Sequence, residues 1–258
     1  MSVGGLIDAL QEIDQQTYGL HGTLYIVGFA ADDSTPGFGG GVIGSPPPVA
    51  FGQFRELVQR GVDALPELLK HIDDARPTKL VVGNKGFQFM FAYFGEEYDP
   101  RDPKAGKLSF GAGSRKELSL PYTVRIGDVC FSIIGEITSR TLLALRYQHT
   151  AGLIVNSPVE SAALAARVRA DWTGIDSSAL KGILVEEAMS SEGGWGGLPQ
   201  LRLYFPEEYR KLKAGPLKSK CEVYEARLHT SNQLPDPTSP SVTPRADARV
   251  APSVTADH

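Results

Sequence analysis

Apolar side chains recur at helical spacing on both sides of one break in residues 51–79, FGQFRELVQRGVDALPELLKHIDDARPTK, and this pattern constrains the fold most. Phe54, Leu57 and Val58 fall on one stripe. After Gly61, a second stripe runs through Leu65, Leu68, Leu69 and Ile72. Asp63 stands where a cap is expected, and Pro66 lies inside the first turn. The segment therefore predicts two short helices, each greasy on one side. Helical-repeat proteins stack units of this kind, which offer a surface to partners and supply no reacting group.

The rest of the chain sets looser bounds. Its 258 residues suffice for one large domain or two small ones with a substantial core. Eighteen prolines and 28 glycines imply many loops. A formal charge of −4 creates no overall field that would draw nucleic acid or an anionic membrane. The N-terminal MSVGGLIDALQEIDQQ lacks the basic start and apolar run of a signal peptide. No apolar stretch approaches the roughly 20 residues that cross a bilayer. Cys130 and Cys221 sit in unlike settings, which predicts free thiols and a reducing, cytoplasmic location.

Three parts follow along the chain. Residues 1–50 hold an amphipathic helix over 3–18, a short strand at 24–29 and a Gly/Pro-rich linker. Residues 51–230 form a mainly helical domain. Its helix pair is followed by extended runs at Lys79–Val82 and Phe87–Phe94, joined by a GNKG turn and read as a β-hairpin at about 79–94. Asp128 opens an apolar helix running on through Arg146 and Tyr147. Further helices begin at Ser157-Pro158, at Asp176 or Ser177, near Leu198 and at Pro206. Residues 231–258 carry five prolines and few large apolar side chains, too little to offset the entropy of ordering, and are expected to be disordered.

The segments RGVDALPELLKHIDDARPTKL, GDVCFSIIGEITSR, RYQHTAGLIVNSP and LAARVRADW, in that order, resemble a group of uncharacterised bacterial proteins. The resemblance spans about residues 52–210 and implies no activity, because none is assigned to the group. The first helix pair also looks like a single HEAT-type unit. The chain departs from the group where it has Glu136-Ile137-Thr138-Ser139-Arg140 and the group more often has Gln-Ile-Val-Asn-Arg. A role that needs an amide at 136 is therefore not carried over.

Residue types that carry chemistry are scattered. Gly39-Gly40-Gly41-Val42-Ile43-Gly44 has the letters of a dinucleotide fingerprint, but Ser45-Pro46-Pro47-Pro48 follows where a helix should start. Asp128, Cys130, Glu136 and Arg140 cluster in one apolar stretch. Glu136 and Arg140, four apart, are expected to pair on one helix face, while Cys130 points elsewhere and packs as a small apolar residue. An enzyme built here would use Asp128, Glu136, Arg140 and His149. The five histidines are dispersed, so no metal site and no cofactor is expected. Glu96, Glu97, Asp99 and Asp102 form an acidic loop without the closing glutamate of an EF-hand. Ser178-Ala179-Leu180-Lys181 lacks the companion motifs of a Ser-x-x-Lys nucleophile. Arg210, Lys211, Lys213, Lys218 and Lys220 near Tyr204, Phe205 and Tyr209 would suit single-stranded nucleic acid, yet the acidic chain and the missing motif weigh against it.

The expected fold is α+β, mainly α, with helix pairs packed in a HEAT-like manner around an inserted hairpin. The leading expectation is a non-enzymatic interaction or scaffold protein that meets an unknown protein partner through Phe89, Phe91, Tyr93 or Trp195. A hydrolase or transferase is the rival. The sequence leaves partner identity and oligomeric state open.

Overall fold

The stripe of Leu6, Ile7 and Leu10 forms helix α1 (Val3–Ala9) and its 3-10 extension, with the Ser2 hydroxyl accepting from the Gly5 amide at 3.1 Å. The structure is a computed structural model and describes residues 1–16, 20, 29–32, 50–83, 91–99, 116–148, 152–190 and 195–231. The strand expected at 24–29 falls mostly outside those residues, as do the turn at 84–86, Phe89, Asp102, His149 and the tail from 232.

Helix α2 (Gly52–Arg60) buries Phe54, Leu57 and Val58, and α3 (Leu65–Lys70) buries Leu65, Leu68 and Leu69, as the stripes require. A 3-10 turn over Gly61–Ala64 joins them. Asp63 lies within that turn, and no side-chain hydrogen bond caps α3. Gly61 has φ 58°, and a Cβ there would meet the Tyr204 ring at 3.0 Å, so both conformation and packing select glycine.

Two sheets form, and they divide the expected hairpin. Strand β1 (Pro77–Val82) alternates exposed and buried residues and pairs antiparallel with β4 (Tyr122–Arg125). Strand β2 (Phe91–Gly95) belongs to the other sheet, with β3 (Lys116–Glu117), β5 (Leu145–Gln148) and β6 (Gly152–Asn156). The order is β3-β2-β6-β5, with β2 and β6 parallel and the other pairs antiparallel. Among the described residues, β1 and β2 do not pair with each other. Each finds a partner distant in sequence, a choice that local turn chemistry cannot reveal.

The apolar stretch at 126–138 becomes α4 (Ile126–Thr138), which packs against α2, α3 and β4 and buries every residue except Glu136, itself partly buried. The helix is shorter than its sequence pattern suggests. Ser139 adopts φ 56°, and the Arg140 amide turns back to the Gly135 carbonyl at 2.9 Å. Leu145–Gln148 is then strand, not helix, because pairing with β6 decides an apolar run that periodicity leaves ambiguous.

Helix α5 (Ala162–Trp172) also starts later than expected. Ser161 caps it, accepting from the Leu164 amide at 3.2 Å, while Ser157 points into the core. Helix α6 (Ser177–Ser190) begins where Asp176 Oδ1 accepts from the Ala179 amide at 2.8 Å. Helices α7 (Leu198–Tyr204), α8 (Pro206–Ala214) and α9 (Lys218–Ser231) follow, each packed on the next. One core of buried apolar residues runs from Leu6 to Tyr224. The fold is α+β, with more than half of the described residues helical and small sheets. Among the described residues, no helix is long and apolar enough to cross a membrane.

Candidate functional site

Helix α4 carries two carboxylates of the expected cluster, and each meets a different fate. Asp128, in the first turn, is fully buried. Its Oδ2 accepts from the Tyr122 hydroxyl at 2.7 Å and the Arg125 amide at 2.8 Å. Its Oδ1 accepts from the Ser157 hydroxyl at 2.5 Å. Burial pushes this carboxyl up to about 6, against the pull of those three donors. The same carboxylate serves the helix N-terminus and ties β4 and the end of β6 to α4. With its oxygens engaged inside the protein, Asp128 is placed to brace three elements, not to receive a substrate.

Glu136, two turns on, does not pair with Arg140. Helix α4 has ended by then, and the chain reversal at Ser139 swings Arg140 away. Arg140 instead binds Glu187 of α6, lies 3.5 Å from buried Asp99 and sits over the Trp172 ring at 5.9 Å. The i,i+4 pairing therefore fails because its premise, a helix continuing through position 140, fails. Glu136 is partly buried, and its carboxyl faces the turn at 29–32, where Oε2 accepts from the Ala30 amide at 3.3 Å. Burial pushes it up to about 8, with the Ala30 amide drawing it down and Asp32 adding to the rise. Cys130 is buried, free, and raised by burial, so it is a poor nucleophile.

A polar network missed by sequence reasoning gathers beyond the C-terminal ends of parallel strands β2 and β6. Asn156 donates to the Leu143 carbonyl at 2.9 Å and accepts from the Glu97 amide at 2.9 Å. Glu97 takes the Arg146 guanidinium on both oxygens at 2.5 Å. Tyr98 accepts from the Trp172 indole at 2.8 Å, with the Arg167 guanidinium 4.6 Å from its ring centre. Glu96 accepts from Ser161. Gly95 permits this crowding, since a Cβ there would sit 2.5 Å from Asn156 Oδ1. The acidic loop thus spends Glu96, Glu97 and Asp99 on protein partners. Arg146 and Tyr147 sit on a strand, not at a helix end. The legible signal was the mixed polar and aromatic run Glu96–Asp99, but nothing in it named Arg146 or Asn156 as partners.

The expected binding residues are also distributed. Phe91 is 39 % exposed, stacks on Tyr93 with ring centres 6.1 Å apart, and lies over Gly152, where a Cβ would meet its ring at 2.1 Å. Tyr93 is buried, and Trp195 is partly buried with its ring 5.3 Å from Tyr224. Phe89 and His149 lie outside the described residues. Near the C-terminus, Arg210 pairs with Glu207, Lys211 with Glu208 at 3.5 Å, and Lys213 with Glu225 at 2.6 Å. Among the described residues, no group of three or more His, Cys, Asp or Glu could hold a metal ion.

What these contacts define is an α+β protein in which Asp128, Arg140 and Arg146 are bound to groups of the protein itself. Set against protein-family models, curated proteins and solved structures, the chain matches none.

Proposed function

We propose that this is a non-enzymatic, cytoplasmic binding protein whose body presents an aromatic anchor, Phe91, to a protein partner. The carrying observation is the contrast between Phe91 and Asp128. Phe91 is 39 % exposed on the paired strand β2, whereas the best-placed carboxylate is sealed by three internal donors. An exposed aromatic held by a stacked neighbour loses little side-chain freedom on binding, which suits an anchor. Tyr93 beneath it and Gly152 beside it fix the ring's position. The α2–α3 pair, likened to a HEAT-type unit, would serve as scaffold by packing its apolar stripes inward.

The rival hydrolase or transferase reading needs Asp128, Glu136, Arg140 and His149 to converge on an open site. Asp128 is internal and Arg140 is committed to α6, which leaves Glu136 without the cation that reading assigned to it. The test places a photo-crosslinking aromatic residue at position 91 in the native cell, with the same residue at exposed position 222 as control. A discrete adduct at 91 that is absent at 222 supports the reading. Identical adduct patterns from both positions overturn it.

A further inference from the structure

We propose that Glu136 is a proton-controlled catch on the Phe29–Asp32 turn, holding the turn in the helical body while neutral and releasing it when ionised. The inference is independent of the Phe91 surface. It starts from how the turn is seated. Phe29 is buried with its ring edge-on to Tyr204, centres 6.1 Å apart. Gln59 of α2 donates to the Ala31 carbonyl at 3.0 Å, and Tyr224 of α9 donates to Asp32 Oδ2 at 2.7 Å. From α4, Glu136 Oε2 accepts from the Ala30 amide at 3.3 Å. The turn thus hangs from three helices, with a fourth, α7, supplying Tyr204.

The surroundings favour a neutral carboxyl at Glu136 and penalise an anion. The turn itself presents Asp32, a charge of the same sign. Helix α7 presents Tyr204, whose hydroxyl is spent on the Val58 carbonyl, and Arg202, which lies 3.7 Å from Asp32. Helix α2 presents the neutral amide of Gln59, and α9 presents Tyr224, already donating to Asp32. On the α6 side, Glu187 is occupied by Arg140. Gln200 of α7 is more than nine-tenths buried. It donates to the Glu136 backbone carbonyl at 2.7 Å, and among the described residues its own Oε1 has no partner and its amide makes no bond to the Glu136 carboxyl. Among the described residues, no cation pairs with Glu136. An ionised Glu136 would keep the Ala30 amide at 3.3 Å as a donor but would carry a charge of the same sign as Asp32 in a poorly solvated site, and swinging the turn outward relieves both the repulsion and the desolvation.

Hydrogen exchange measured against pH tests the catch, with rates corrected for intrinsic exchange. Glu136 rises from 4.5 toward about 8 in the closed form, so the opening equilibrium of the turn gains about tenfold per pH unit between those values and then levels. The amides of Ala30–Asp32 lose protection accordingly in the wild-type chain, while those of α4 do not follow. Glu136→Gln, which mimics the neutral carboxyl, flattens the profile. Asp32→Asn keeps an acceptor for Tyr224 and moves the levelling point to lower pH, a readout that holds even if Glu136→Gln folds poorly. A wild-type turn whose protection is independent of pH overturns the proposal. So does a fall shared equally by α4, or a profile that Asp32→Asn leaves in place.

Discussion

Arg140 reaches across to Glu187 of α6 and lies 3.5 Å from Asp99, fastening the end of α4 to a helix that begins nearly forty residues later. Glu187 and Asp99 are both largely buried. Removing the guanidinium takes the cation from Glu187 and from the neighbourhood of Asp99 at once, and deleting one partner of a buried ion pair costs about 3 kcal/mol or more. Arg140→Ala is therefore expected to lower unfolding stability by about 3 kcal/mol in urea titrations. Glu187→Gln, which leaves Asp99 for the arginine, should cost about 1 kcal/mol. Equal costs for the two variants would show that Asp99 does not share the cation.

Gly127 brings the start of α4 against the end of the first helix pair. A Cβ at this position would lie 2.5 Å from the Ile72 carbonyl oxygen and 2.7 Å from Val159 Cγ2. The first neighbour is backbone, also fixed by the Gly127 amide donating to the Asp74 carbonyl at 3.0 Å, so it cannot rotate aside. Gly127→Ala gains helix propensity of about 1 kcal/mol but forces a backbone shift costing about 1–3 kcal/mol. A net loss is expected in urea or thermal unfolding. Gly182→Ala on α6, where nothing lies within 4 Å, should be neutral or stabilising, and a similar loss there would undo the steric argument.

Much of the helical framework was legible because local pattern and tertiary burial agree. Leu57 and Leu68 lie on stripes that the core uses, and of the two residues expected to start α6, Asp176 and Ser177, it is Asp176 that accepts from the Ala179 amide. What failed had a common cause, dependence on partners remote in sequence. Leu145 and Tyr147 have side chains suited to either helix or strand, and β6 settled the matter. Phe91 and Val82 each read as strand, but the pairing that put them in separate sheets depends on residues 116–156. At the candidate site, the sequence offered Asp128, Glu136 and Arg140 as one cluster. It gave no sign of Tyr122, Ser157, Glu97 or Glu187, which the fold brings to them or to Arg146.

Stability should depend on pH in one sense at two carboxylates and in the opposite sense at a third. Glu136 and Asp128 are raised in the folded state, from 4.5 to about 8 and from 3.8 to about 6. Between each pair of values the folded protein binds more protons than the unfolded one, so stability falls as pH rises. Asp74 runs the other way. Burial opposes its ionisation, but hydrogen bonds from Arg76 and His71 hold it down to about 2, below its ordinary 3.8. Its contribution of about 1–2 kcal/mol, allowing for solvent screening, is present above 3.8 and lost as pH falls toward 2. The combined contribution of these three carboxylates is greatest near pH 4, above the Asp74 loss and below the Asp128 and Glu136 falls. Glu136→Gln should remove a loss of a few kcal/mol between pH 5 and 8 in urea unfolding. A wild-type curve that rises from pH 5 to 8 would contradict the burial of Glu136.

The last expectation concerns nucleic acid. The cations of α8 and α9 would supply an electrostatic footprint only if they faced phosphate unpaired. Arg210, Lys211 and Lys213 are instead neutralised by Glu207, Glu208 and Glu225, the first two across a single turn of α8. The aromatic platform is also occupied. Tyr209 is buried and donates to Glu225 at 3.1 Å, and Tyr204 donates to the Val58 carbonyl. Each cation already paired with a carboxylate of the same chain releases little counterion when phosphate approaches, so the salt slope of binding should be small. The protein is expected to leave heparin at low salt, with no steep dependence on ionic strength. Glu207→Gln with Glu208→Gln, which frees Arg210 and Lys211, should increase retention. If the wild-type chain already requires high salt for elution, those ion pairs do not hold in solution and the single-strand reading gains the cations it lacks here.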